Sequence, residues 1–83
     1  MKKTILITGT SSGIGKATAI HFQQKGWNVI ATMRTPEKET ELNKLENVQL
    51  ERLDVLDLES IYQAIKNGIS SFGKIDAIVN NAW

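Results

Sequence analysis

Three glycines within seven positions, Gly9, Gly13 and Gly15, follow a short apolar run and precede a segment of helical spacing. Glycine lets a chain turn tightly and lets the backbone approach a ligand that a side chain would block. The free amides at the start of a helix, together with its dipole, attract anions such as phosphate. Between a strand and a helix, this pattern predicts a site for the diphosphate of a dinucleotide. The alternative is a turn with a purely structural role.

Each glycine has its own predicted role in such a turn. Gly9 permits the tight turn, Gly13 lets the backbone approach the phosphate oxygens, and Gly15 lets helix and strand pack closely. A P-loop is disfavoured because it needs glycine and a hydroxyl residue where Thr10 and Ala17 stand. The candidate cofactor contacts in this loop are Gly9, Ser11, Ser12, Gly13, Ile14 and Gly15.

The end of the second predicted strand carries Arg34, and no carboxylate follows it until Glu37. In dinucleotide-binding sheets an acidic residue about 20 positions after the glycines binds the ribose of NAD, whereas an Arg accommodates the 2′-phosphate of NADP. A guanidinium is well shaped for a phosphate. The sequence therefore favours NADP, with NAD as the alternative cofactor and a solvated surface Arg as the structural alternative.

The elements that must position these residues alternate between apolar runs of strand length and segments of helical spacing. Strands are predicted at residues 4–8, 28–33, 47–53 and 75–82, and the third is expected to be half buried at a sheet edge. Intervening helices imply right-handed crossovers. The predicted fold class is α/β: a Rossmann-like, doubly wound parallel sheet of order 3-2-1-4 with helices on both faces.

The first and third predicted helices have clear ends. Ser11 or Ser12 caps the first, which stops at Gly26, and its residues at helical spacing are Ile14, Ala17, Thr18 and Phe22. Asp57 caps the third and Gly73 ends it. The apolar face of this third helix consists of Leu58, Ile61, Ile65, Ile69 and Phe72.

The second predicted helix is short. Thr35 caps it, Pro36 occupies its first position, and Leu42 and Leu45 face inward. Gly68 is expected to interrupt the third helix. With these elements, residues 1–83 form one continuous unit without a linker or repeat.

Composition narrows the range of partners. The formal net charge is +1 and no window holds a basic cluster, so binding to nucleic acid or to an anionic membrane is not expected. Charge and glycine interrupt the first apolar run too early for a signal peptide or membrane span.

The lack of cysteine excludes thiolate metal sites and is compatible with a reducing cytoplasm. His21, the sole imidazole, has no second ligand at metal-binding spacing.

Three motifs resemble those of the short-chain dehydrogenase/reductase family. "TGTSSGIG" (8–15) has its TGxxxGxG cofactor spacing, "LDVLD" (53–57) resembles its adenine-pocket motif, and "NNA" (80–82) resembles its NNAG. The resemblance implies that Asp54 accepts the adenine amine, that Val55 lies beside the ring, and that Asn80 and Ala82 contact the cofactor. The structural alternatives are that Asp54 belongs only to a turn leading to Asp57, and that the two asparagines at 80 and 81 only terminate a strand.

The resemblance covers the whole chain but only the first third of a family subunit. The Ser, and the Tyr followed four residues later by Lys, that relatives use for catalysis fall beyond the fourth strand. Tyr62 with Lys66 is a false match, because it precedes the NNA motif, and Trp83 stands where the family has Gly. The expectation is a truncated, NADP(H)-binding fragment of a short-chain oxidoreductase that is inactive alone. The alternatives are a nucleotide-binding module without catalysis and a self-associating remnant.

The fourth strand is apolar and, in the order 3-2-1-4, forms an edge of the sheet. An unpaired apolar edge recruits another chain. We therefore expect a homo-oligomer joined through residues 75–82, by edge pairing or exchange of an element. The helix face around Ile65, Ile69 and Phe72 is expected to contribute.

Overall fold

The computed structural model describes residues 2–81. Its strands are β1 (Thr4–Ile7), β2 (Asn28–Met33), β3 (Val48–Arg52) and β4 (Ala77–Val79). They form one parallel sheet in the order β3-β2-β1-β4, which confirms the predicted topology. β2 has its predicted bounds, and the other three strands are shorter than predicted.

Apolar and β-branched side chains bury the two inner strands. All four residues of β1 are buried, as are the last five of β2, as expected of strands covered on both faces. β3 is mostly half-buried, as its alternating sequence predicts for an edge. At the other edge, Ile78 of β4 is 59% exposed.

Two α-helices, α1 (Gly13–Gln24) and α2 (Leu58–Phe72), cover opposite faces of the sheet. Neighbouring residues of a strand point to opposite faces. The Ile30 side chain of β2 faces Gly68 of α2, whereas the next residue, Ala31, joins a core cluster with Ala19 of α1 and with Leu42. The predicted helices on both faces are therefore confirmed.

α1 buries a different face from the one its apolar residues indicate. Ile14 is 77% exposed and Ala17 is also exposed, so the predicted spacing is wrong for these two residues. The buried residues are Gly15 and Ala19, and Phe22 packs against the core. Small residues face the sheet because they let the helix backbone approach it.

α2 also presents small residues to the sheet. Leu58 and Ile69 of the predicted face are 76% and 44% exposed, which corrects that prediction. Gly68 does not interrupt the helix, which contradicts the prediction. Its lack of a side chain makes room for Ile30 of the sheet. Three other residues of the predicted face are half-buried: Ile61, Ile65 and Phe72. The buried residues are Ser60, Ala64 and Gly68.

The ends of the helices follow the predicted residues with one difference. Ser12 precedes α1 with extended backbone, but its side chain makes no capping hydrogen bond. Asp57 caps α2 as predicted, and its carboxylate accepts hydrogen bonds from the amides of Glu59 and Ser60. Glycines with left-handed backbone follow the two helices, at Gly26 (φ 87°) and Gly73 (φ 84°).

The predicted second helix is replaced by two short 3₁₀ turns, Pro36–Lys38 and Leu42–Lys44. Thr35 precedes the first turn but makes no capping hydrogen bond. Between the turns, Glu39 has extended backbone, with φ −77° and ψ 132°, and this breaks the helical path. Leu42 is fully buried as predicted.

Candidate functional site

The turn between β1 and α1 has the backbone geometry that its glycines predict. Gly9 and Gly13 adopt left-handed backbone, with φ 69° and 61°, a region that other residues enter only with strain. Thr10 is fully buried between them. Its amide and its hydroxyl each donate to the Thr32 carbonyl of β2, both at 3.1 Å. The turn is thereby fixed to the end of the neighbouring strand.

Gly15 lies where α1 passes closest to this turn. A β carbon at Gly15 would collide with the Gly9 carbonyl and would stand 2.8 Å from the Asn81 amide nitrogen. That nitrogen donates to the same Gly9 carbonyl at 3.3 Å. The close packing of helix and strand that the sequence assigns to Gly15 is therefore observed.

A cleft of about 410 Å³ opens at the carboxyl ends of the strands, within the range of about 300–1,000 Å³ typical of small-molecule sites. It brings together Gly9, Ser11, Arg34, Asp54 and Val55 from the predicted site. Four further residues also line it: Met33, Leu53, Leu56 and Asn81. In an open α/β sheet this is the edge at which ligands bind.

The other predicted site residues do not line this cleft. Ser12, Gly13, Ile14 and Gly15 belong to the start of α1, and Asn80 borders a separate, largely apolar groove of about 240 Å³ beside α2. Ala82 lies outside the described residues.

Arg34 is exposed and directly follows β2. Within residues 2–81, its guanidinium forms no ion pair and no side-chain hydrogen bond. A guanidinium without a carboxylate partner can bind an anion at little competitive cost. Its place in the cleft puts this charge on the same ligand surface as the glycine turn.

Asp54 belongs both to the cleft and to the turn that leads into α2. Its Oδ1 accepts a hydrogen bond from the Leu56 amide at 3.0 Å, and its own amide donates to the Ser60 hydroxyl at 2.9 Å. Its carbonyl accepts from the Asp57 amide at 2.9 Å. The turn leading to Asp57, which is the structural alternative for Asp54, is thus observed. The same contacts orient the Asp54 carboxylate in the wall of the cleft.

The two asparagines after β4 are held by Thr8 at the end of β1. The Thr8 hydroxyl donates to Asn80 Oδ1 at 3.1 Å and accepts from the backbone amide of Asn81 at 2.7 Å. Asn81 then bridges to the Gly9 carbonyl. The sequence places Asn81 in the motif but does not predict it as a contact, because sequence does not show which of two adjacent amides turns toward the glycines.

Other chemically active residues lie apart from the cleft. Tyr62 of α2 is 76% exposed, and neither it nor Lys66 lines the cleft. His21 is exposed, and its ring packs against Phe22 with centroids 5.6 Å apart. Residues 2–81 contain no group of acidic, His or Cys side chains able to hold a metal ion.

The family model described as short chain dehydrogenase matches residues 3–82. This chain belongs to the short-chain dehydrogenase family. Oxidoreductase BOA17 of Botryotinia fuckeliana is 46% identical over 85 residues, covering 99% of this chain and 31% of the relative. A probable 2,4-dienoyl-CoA reductase of Bacillus subtilis is 40% identical, with 98% and 34% covered.

Solved structures of the short-chain dehydrogenase family superpose on the chain. Hydroxysteroid dehydrogenase from Escherichia coli has a TM-score of 0.89 at 28% identity, with 98% of this chain and 37% of that one covered. ElxO with NADP bound has a TM-score of 0.85 at 38% identity, with 98% and 35% covered. The chain therefore spans about a third of the length of these relatives. Across residues 2–81, no helix is long and apolar enough to cross a membrane.

Proposed function

We propose that residues 1–83 form the N-terminal part of a dinucleotide-binding domain and bind NADP(H). The observation that carries the proposal is the shared cleft, where Arg34, without an acidic partner among residues 2–81, lies on the same surface as the glycine turn. The NADP in ElxO, a structure that resembles this chain, also supports the choice. NAD remains the alternative cofactor.

The residues of the cleft fit the chemical parts of such a cofactor. Gly9 and Ser11 of the glycine turn line the cleft, and the start of α1 directly follows that turn, an arrangement that suits a diphosphate. Arg34 suits a 2′-phosphate, and Asp54 with Val55 offers a carboxylate and an apolar wall for an adenine. In these proposed roles the chain would bind and orient the dinucleotide, which would exchange a hydride with a carbonyl or alcohol carbon in a longer protein.

We infer that the isolated chain does not catalyse hydride transfer. Tyr62 and Lys66 are placed away from the cleft, so they cannot polarise a carbonyl held there. The full family reaction of carbonyl and alcohol interconversion is therefore proposed only for a longer protein. We also propose a cytoplasmic location, with which the cysteine-free composition is compatible.

The partner that we propose, besides the dinucleotide, is a second copy at the open edge of β4. The Val79 carbonyl accepts from Thr8 of β1 at 3.0 Å. Because successive strand residues alternate in direction, the amide and carbonyl of Ile78 point away from β1. A two-fold pairing centred on Ile78 places Asp76 opposite Asn80 of the second copy, so no like charges meet.

Titration of the isolated 83-residue chain against NADPH, followed by the fluorescence of the nicotinamide, tests the proposal. We expect saturable binding with a higher affinity than for NADH. Saturable binding of adenine nucleotides but of neither NADPH nor NADH would instead favour a general nucleotide-binding module. The absence of any nucleotide binding by a folded chain would contradict the proposal and favour a self-associating remnant.

A further inference from the structure

Glu39 is the one charged residue that is buried within residues 2–81. Its side chain is only 3% exposed, in the segment between the two 3₁₀ turns. A buried carboxylate is unfavourable unless hydrogen bonds and an opposite charge compensate for lost hydration. The role of Glu39 therefore depends on the groups that surround it.

A single oxygen of Glu39 makes three contacts. Oε2 accepts hydrogen bonds from the backbone amides of Glu41 and Leu42, each at 2.9 Å. It also lies 3.4 Å from the ammonium nitrogen of Lys16, in the first turn of α1. Lys16 makes a second ion pair, at 3.0 Å, with the exposed Glu41. Glu39 thus joins the 3₁₀ segment to the helix that begins at the glycine turn.

The ionisation of this pair agrees with its geometry. Burial raises the pKa of Glu39, but the amides of Leu42 and Glu41, together with Lys16, outweigh this effect and hold that pKa below its ordinary 4.5. The hydrogen bond to Glu41, only partly opposed by desolvation, raises the pKa of Lys16, with a further contribution from Glu39. Both groups are therefore charged at neutral pH.

The segment that carries Arg34 is anchored on both sides. It starts at Met33, 4% exposed at the end of β2, and it finishes at the Glu39 contacts and the fully buried Leu42. A recess of about 260 Å³ is lined by this segment and by α1: Ser11, Lys16, Met33, Thr35, Lys38 and Glu39 contribute to it. Ser11 and Met33 also line the main cleft, so the recess and the cleft are adjacent.

We propose that Glu39 is a positioning residue: paired with Lys16, it holds residues 34–38 beside the glycine turn and so sets the preference for a dinucleotide that carries a 2′-phosphate. This inference rests on the proposed NADP(H) site. Glu39 need not touch the cofactor, because it acts through the position of Arg34. Its loss should therefore weaken binding of the phosphorylated dinucleotide more than binding of NADH.

The variant Glu39→Gln tests the proposal, since its side-chain oxygen can still accept the two backbone hydrogen bonds while the charge opposite Lys16 is lost. Lys16→Met removes the same ion pair from the other side, together with the ion pair to the exposed Glu41, and serves as a second variant should Glu39→Gln not fold. Glu46→Gln is the matched control, because Glu46 is exposed and adjoins the amino end of β3, away from the cleft.

Dissociation constants for NADPH and NADH, with circular dichroism as a check of folding, form the first measurement. We expect the ratio of NADH to NADPH dissociation constants to fall several-fold in Glu39→Gln and Lys16→Met and to stay unchanged in Glu46→Gln. An equal loss of affinity for both dinucleotides, or an unchanged ratio in folded variants, would overturn the positioning role.

Amide hydrogen exchange of the chain without nucleotide forms the second measurement. We expect faster exchange at the amides of Lys38, Glu39, Glu41 and Leu42 in Glu39→Gln, because loss of the charge opposite Lys16 loosens the segment, with no change in Glu46→Gln. Unchanged exchange would refute the proposed restraint of the segment. If the unmodified chain bound no dinucleotide, the NADP(H) proposal would fail, while this second measurement would still decide whether Glu39 holds the segment.

Discussion

Gly15 of α1 packs directly against Gly9 of the turn after β1, with no room between them for a β carbon at Gly15. The obstacle is backbone, the Gly9 carbonyl, and it cannot rotate away as a side chain can. The Asn81 side-chain amide donates to that carbonyl from the end of β4. The Gly9 carbonyl therefore links the end of the first strand to the first helix and to the end of the fourth strand, at the wall of the candidate cleft.

Gly15→Ala should destabilise the fold. We expect the free energy of unfolding to fall by about 1–3 kcal/mol, the usual cost of overpacking, because either α1 or the Gly9 turn must move. Gly68→Ala is the comparison variant: its β carbon would meet the end of the flexible Ile30 side chain, and alanine favours the helix. Urea unfolding of both variants measures the difference. Equal loss of stability in the two would contradict the special role of the Gly9 carbonyl.

Gly13→Ala should separate backbone strain from ligand binding. Gly13 has open space around it but a φ of 61°, so alanine there costs about 1–2 kcal/mol of stability. Gly26, at the other end of α1, has open space and a φ of 87°, and Gly26→Ala should cost about the same. Although the two variants should lose similar stability, we expect only Gly13→Ala to bind NADPH more weakly than the unmodified chain. From sequence alone, a side chain at position 13 would be expected only to block the phosphate. The positive φ of Gly13 adds backbone strain that the sequence does not show.

Arg34→Ala should remove the preference for NADPH over NADH. A charge-assisted hydrogen bond to a phosphate contributes about 1.5–3 kcal/mol, which corresponds to about 10- to 150-fold in affinity. Arg34→Lys should have an intermediate effect because lysine keeps the charge but not the planar fork. Fluorescence titration with both dinucleotides measures the ratio. If Arg34→Ala weakened NADPH and NADH equally, Arg34 would not bind the 2′-phosphate.

Acid should destabilise the chain through its paired carboxylates. The pKa of Asp57, ordinarily 3.8, is lowered chiefly by the Arg52 guanidinium and then by the amide of Ser60. The pKa of Asp76 is lowered chiefly by the Thr4 amide, whose nitrogen lies 2.7 Å from Oδ2. A group with a lowered folded-state pKa contributes its full stability above the unfolded-state pKa and loses it as pH falls through the folded-state value.

Asp57→Asn provides the test of that pH dependence, because asparagine also caps helices but does not titrate. We expect its melting temperature to fall less steeply than that of the unmodified chain as pH is lowered from about 5 to about 2. Thermal unfolding by circular dichroism at several pH values measures the slope. Identical slopes would show that Asp57 does not contribute to the acid transition.

The positions of the strands and the glycine turn could be predicted from local sequence patterns, and the strand order from the usual topology of a doubly wound sheet. Apolar runs mark the buried strands, and a positive φ at Gly9 and Gly13 has few alternatives to glycine. The faces of the helices could not be predicted in the same way. Apolarity at Ile14 and Leu58 indicates an inward position, yet both are exposed, because small residues face the sheet instead.

The middle segment shows a second limit of sequence reasoning. Pro36 and Leu42 have the spacing of a short helix, but the extended backbone at Glu39 divides it into two 3₁₀ turns. The burial of a glutamate beside Lys16 arises from tertiary packing between residues 23 positions apart. No local pattern signals it. Likewise, the motif at the end of β4 places two amides near the glycines, and only the fold shows that Asn81 makes the bridge.

The open edge of β4 gives the last prediction, which concerns self-association. Ile78 is 59% exposed and its backbone groups face outward, so a charged side chain there should oppose strand pairing. We expect the unmodified chain to sediment as a dimer or larger assembly at micromolar concentration, and Ile78→Lys to sediment as a monomer. Leu56→Lys is the control, because Leu56 is 93% exposed but lies outside β4.

Sedimentation equilibrium of the three proteins decides between the possible surfaces. Dissociation by Ile78→Lys alone would support pairing through β4, since both substitutions replace an exposed apolar side chain with the same charge. Dissociation by both variants would indicate that general apolar contact, and not strand pairing, joins the copies. A monomeric unmodified chain would contradict the proposed second copy outright, and the open edge would then be protected by its short length of three strand residues.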